Sequence, residues 1–206
     1  MTSTKMVMLS AALAAFMMPA VAQTSGPAQP PVQQPQMAPG ARAENQQDRI
    51  SKGIADGELT SGEAANLESK EAKINNEAAK MKAANGGKLT SADVQKLEQQ
   101  QNVMSHQIYK DAHNNKTQNT DPKSEVGKRY ENQQDRIAQG IASGQLTPAE
   151  ASKLEKQEGA VGREISNERK QNGGTLTSAE RQKINQQQNH VSKEIYGAKH
   201  NNRRMK

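Results

Sequence analysis

The sequence predicts an all-α protein, in which two tandem copies of a small three-helix unit follow a signal peptide and a disordered linker. Each unit is expected to hold one short helix and two long antiparallel helices. Three observations lead there. Residues 45–115 align with residues 132–202 at a constant offset of 87 without a gap, and 37 of the 71 positions are identical. Four Leu-Thr turns are each followed, three residues after the Thr, by an acid. Apolar residues between these turns recur at helical spacing.

Taken in order, Lys5 is followed by an apolar run from Met6 to Met18 and then by Ala20, Val21 and Ala22. A positive start, a short hydrophobic stretch and a small-x-small site make residues 1–22 a signal peptide, cut between Ala22 and Gln23. The run is shorter than the roughly 20 apolar residues a membrane span needs, and Pro19 ends it. Residues 23–43 are rich in Pro, Gln, Ala and Gly without apolar periodicity, the composition of a disordered linker.

Residues 44–115 form the first helical unit, with helices expected over 44–55, 61–84 and 91–113. Ile50 and Ile54 mark the short helix, and Leu67, Ile74 and Met81 the middle one. Val94, Leu97, Met104 and Ile108 mark the last, with Gln101 at the vacant place on the stripe. Thr60 and Glu63, and Thr90 and Asp93, have the capping-box spacing, in which the Thr hydroxyl accepts a free N–H of the first turn and the acid reaches back to the cap residue. Residues 116–130, polar and containing Asp121-Pro122, read as a linker. The second unit, 131–202, repeats the pattern with Leu154, Val161 and Ile165, then Ile184, Val191 and Ile195 around Gln188. Its boxes are Thr147 with Glu150 and Thr177 with Glu180, and Pro148 stands at a first helical position. Because so little apolar surface is available, Gln101 and Gln188 are expected to stay wet rather than to be buried residues that set helix register. Residues 203–206 form a basic tail.

Composition narrows the function classes. The chain has no cysteine and no tryptophan, and 32% of it is hydrophobic. A disulfide scaffold and a thiolate metal site are therefore excluded. No GxSxG, Walker loop, dinucleotide fingerprint or HExxH occurs, and the four histidines lie in no triad setting. A non-enzymatic protein is expected. The formal charge of +6 is concentrated at the tail Arg203, Arg204 and Lys206, while the two copies carry net −1 and +2. Without a basic face or aromatic platform, specific nucleic-acid binding is not expected, although the tail could attract polyanions. His106, His113, His190 and His200 give no duplicated ligand set, since Lys193 and Val103 stand opposite His106 and His190.

Two resemblances follow from these motifs. The pattern RIxxGIxxGxLTxxEAxxLE, at Arg49 to Glu68 and Arg136 to Glu155, resembles uncharacterised exported helical-repeat proteins of Gram-negative bacteria. It implies a periplasmic or cell-surface location and brings no activity. The stretch DGELTSGE, Asp56 to Glu63, is similar to the exiting half of an EF-hand, with Gly57 at the sixth position, Leu59 at the eighth and Glu63 at the twelfth. The first and third positions would be Lys52 and Ile54, where that family uses oxygen ligands. This similarity implies a calcium-like divalent cation held by Asp56, Glu58, Glu63 and, in the second copy, Glu150. The leading expectation is an exported interaction or structural module whose partner is an unknown protein, an envelope polymer or a second copy of itself.

Overall fold

The computed structural model describes residues 37–116 and 120–204, all of whose regular structure is helical. The expected signal peptide, most of the linker that follows it and the last two residues of the tail lie outside the described residues. Six helices follow one another: α1 Pro39–Ala55, α2 Ser61–Ala84, α3 Ser91–Ala112, α4 Glu125–Ala142, α5 Pro148–Gln171 and α6 Ser178–Lys199. No helix among them is long and apolar enough to cross a membrane.

The four turns act as helix starts. Thr60, Thr90, Thr147 and Thr177 each accept a hydrogen bond from the N–H of the acid three residues on, and each acid accepts one from the backbone N–H of its Thr. Gly57 and Gly144, with φ of +71° and +65°, take the left-handed conformation that turns the chain away from α1 and α4. Leu59 then folds back so closely that a Cβ on Gly53 would lie 2.8 Å from its side chain, and Leu146 does the same to Gly140 at 2.6 Å.

Two helices begin earlier than the sequence suggests. α1 starts at Pro39 rather than at residue 44, within the stretch read as linker, and α4 starts at Glu125, inside 116–130. Proline at the first position presets α1, while the Ser124 hydroxyl caps α4 by accepting from the Gly127 N–H at 3.1 Å. Both extensions have buried anchors, Ala43 on α1 and Val126 and Tyr130 on α4.

The anchors explain a second difference. Gln101 and Gln188, expected to stay wet, are 2% and 0% exposed. The Gln101 side chain donates to the Pro39 carbonyl at 2.8 Å, and the Gln101 backbone carbonyl accepts from Gln46 at 2.7 Å. The Gln188 side chain donates to the Val126 carbonyl at 2.8 Å, and the Gln188 backbone carbonyl accepts from Gln133 at 2.8 Å. In each stripe the amide NH2 is satisfied by a backbone carbonyl of an unforeseen first turn, while the side-chain carbonyl oxygen is buried without a hydrogen-bond partner.

α3 packs on α1 and α2, and α6 packs on α4 and α5. Across the middle, α1 lies along α4 and α2 along α5, so that helices 87 residues apart in sequence meet each other, as in an isologous dimer. One core runs through all six helices, from Ile50, Leu67 and Leu97 to Ile137, Leu154 and Ile184. The Ser152 hydroxyl donates to the Ala65 carbonyl at 2.8 Å, and the Tyr130 and Ser61 hydroxyls bond to one another across the same seam. α3 and α6 make no contact with each other and form the two outer layers.

Candidate functional site

The acids of the first turns sit where the capping pattern puts them. Glu63 Oε2 accepts from the Thr60 N–H at 3.1 Å and the Thr60 hydroxyl at 2.7 Å. Its other oxygen accepts from Asn114 at 2.8 Å and Lys116 at 3.1 Å, residues that follow α3. Glu150 repeats this with Thr147 and with Asn201 at 2.8 Å, and Arg203 stands 3.8 Å away. Asn114 and Asn201 thus tie the chain after the third helix of each copy to the start of the second. Partial burial works against the charge on Glu63, but the bonds from Thr60, Asn114 and Lys116 outweigh it and hold its pKa below the usual carboxylate range. Glu150 is lowered in the same way by Thr147 and Asn201.

The remaining members of the EF-hand-like set do not join them. Asp56 pairs with Lys52 one turn back on α1, and Glu58 is exposed. Among the described residues, no group of three or more His, Asp or Glu is placed to hold a metal ion. His113 and His200 take a different role: each donates from Nδ1 to the carbonyl of Tyr109 or Tyr196 at 2.8 Å and stacks on that ring at about 4 Å.

A cluster that the sequence reading missed lies in the α2–α5 seam. Glu68 and Glu71 on α2, and Glu155 and Glu158 on α5, are all fully buried. Gln47 donates to Glu68 and Gln134 to Glu155, each at 3.2 Å. Neither oxygen of Glu71 or Glu158 has a hydrogen-bond partner. Burial raises all four pKa values. It carries Glu71 to about 7, and it carries Glu155 to about 7 against the opposing bonds from Gln134 and Ser61. Glu158 rises to about 9 through burial and the neighbouring Glu155, with Arg136 acting in the opposite sense. Glu68 is raised by burial and, despite Gln47, by the charges of Glu71 and Glu155. Carboxyls that keep their protons are the form compatible with a closed seam. A signal was present: Glu68 and Glu71 recur as Glu155 and Glu158 while residues 69, 70, 72 and 73 all change between the copies.

The outer surfaces carry the other site. On α3 and its C-cap the exposed residues Gln95, Gln99, Asn102, His106, Tyr109 and His113 follow one another by steps of four and three, which lines them along one face. Five of these six are the same on α6, as Gln182, Gln186, Asn189, Tyr196 and His200, all exposed. Tyr109 and Tyr196 are both 61% exposed. Arg42 bonds to Asn102, and Arg129 bonds to Asn189 at 2.6 Å, so each face is backed by the first helix of its half. Of the ten exposed residues of α3, seven are identical 87 positions later, whereas none of the ten exposed residues of α2 is.

Comparison with protein-family models, with curated proteins and with solved structures returns no match.

Proposed function

We propose that the chain is an exported, non-enzymatic interaction or structural protein of the periplasm or cell surface, built as a tandem of two three-helix units that offer two equivalent outward faces. The observation that carries this is the asymmetry of change between the copies. Exposed side chains on a helix are the ones most free to vary, as all ten on α2 have done; on α3 and α6 most have stayed the same. Packing does not account for that, since Gln95, Gln99 and Tyr109 are exposed. Recognition of one partner feature by both faces does. The apolar run and cleavage pattern of residues 1–22 support export.

The test is capture by the full-length processed chain. Protein bearing a C-terminal tag should retain an envelope component, and the Tyr109→Ala/Tyr196→Ala variant should lose it while keeping its helical circular dichroism. Equal capture by the variant would remove the outer faces from the function, and detection of the chain only in the cytoplasm would remove the envelope setting.

A further inference from the structure

The composition of the two stripes specifies the chemistry of what they contact, and the inference rests on the function proposed above. We propose that the outer stripes of α3 and α6 are two equivalent binding faces for an uncharged, hydroxyl-rich saccharide polymer. Each stripe presents Gln95, Gln99 and Asn102, or Gln182, Gln186 and Asn189, beside an exposed tyrosine stacked on a histidine. The glutamine amides donate and accept at once, which matches hydroxyl groups that do the same, while Asn102 and Asn189, whose carbonyls accept from Arg42 and Arg129, offer their NH2 groups. A flat, exposed aromatic ring supports the C–H face of a sugar ring while its polar edge stays wet.

The other partner classes fit less well. A polyanion would need a run of cations on both faces, yet Lys193 is the one lysine or arginine in either row and its counterpart is His106, while Lys96 pairs with Glu77 at 2.5 Å and Lys183 with Glu164 at 2.8 Å. A cationic partner would need carboxylates, and neither stripe contains one. A protein partner would need an apolar centre, whereas each stripe offers one tyrosine among amides. Charge complementarity therefore favours a neutral polymer. Because α3 and α6 are the outer layers and do not touch, each face takes its own strand, and one molecule links two strands.

The experiment is calorimetric titration of the full-length processed chain with chitohexaose, cellohexaose and maltohexaose, with an oligouronate of the same length as the charged control. At least one neutral hexasaccharide should bind with two sites per chain. Tyr109→Ala or Tyr196→Ala should each remove one of the two sites, the double variant should lose both, and the Phe variants should keep them. Binding at a single site, binding unchanged in the double variant, preference for the oligouronate, or no binding of any neutral probe at millimolar concentration would each overturn the proposal. If capture of an envelope protein still depends on the two tyrosines while no saccharide binds, the saccharide inference fails and the interaction function stands; if neither depends on them, both fail.

Discussion

The inner helices α2 and α5 and the outer helices α3 and α6 have diverged in opposite ways since the copies separated. On the inner pair, Leu67, Glu68 and Glu71 recur unchanged as Leu154, Glu155 and Glu158, while every exposed residue of α2 differs from its counterpart. On the outer pair it is the exposed amides and tyrosine that recur, whereas the buried Leu97 and Met104 become Ile184 and Val191. Apolar volume can be exchanged within a core at modest cost. Within the surface row, Asn102 and Asn189 are tied to Arg42 and Arg129, but Gln95 and Gln99 are exposed and packing gives no reason for them to stay fixed. The inner pair holds the body together, and the outer pair is where the proposed contacts would be made.

Four experiments would break or sharpen that contrast. The largest effect is expected from Leu67→Ala or Leu154→Ala, which removes a fully buried side chain of the seam and should lower stability by about 2–5 kcal/mol in denaturant unfolding. A loss under about 1 kcal/mol would mean that the seam is not tightly packed.

Next is the response to pH. The buried acids have folded pKa values raised above the ordinary 4.5, so the folded protein holds protons that the unfolded chain has released. Their stabilising contribution is complete below about pH 4.5 and is lost as pH rises through about 7 and 9, at up to roughly 1.4 kcal/mol per unit for each group. Glu63 and Glu150 act in the opposite sense: their lowered pKa values give stability that is present above 4.5 and disappears as pH falls through the folded values. Stability should therefore peak on the mildly acidic side and fall toward pH 9. The Glu71→Gln/Glu158→Gln variant should flatten the alkaline limb, and a wild-type profile that climbs between pH 6 and 9 would contradict the buried cluster.

A smaller loss, about 1 kcal/mol with a range of roughly 0.5–2, is expected for Thr60→Ala or Thr147→Ala, each of which deletes a cap hydroxyl. Equal losses at the two sites would show that the copies use the cap alike. The smallest effect should come from Tyr109→Ala or Tyr196→Ala, within about 0.5 kcal/mol in thermal unfolding, because these rings are mostly exposed. A loss of several kcal/mol would move the tyrosines from the contact surface into the framework.

The legible parts of this protein are local ones. α2 was readable to the residue because Thr60, Glu63 and the glycines on either side act within a single turn of chain. The first turns of α1 and α4 were not readable, since no apolar periodicity marks residues 39–43 or 125–129. Those turns are held by side chains about 60 residues away: Asn102 and Gln101 against the start of α1, Asn189 and Gln188 against the start of α4. A still longer separation, 87 residues, hid the glutamate cluster. On a single helix, Glu68 and Glu71 look like two of the many charges a solvated face carries, and only the approach of α5 makes them buried. The amide stripe of α3 was visible as an excess of Gln and Asn, but which of those amides lie outside depended on knowing which side α1 and α2 cover.

By itself the amino-acid sequence determined the helical class, the duplication and the four capped turns, because each depends on residues a few positions apart or on identity between copies. Only the tertiary structure decided that each central helix meets its own counterpart, that four glutamates are sealed between α2 and α5, and that two matching rows remain outside. Burial and solvent access are properties of surfaces brought together from distant parts of the chain, and short-range spacing does not encode which surfaces those are.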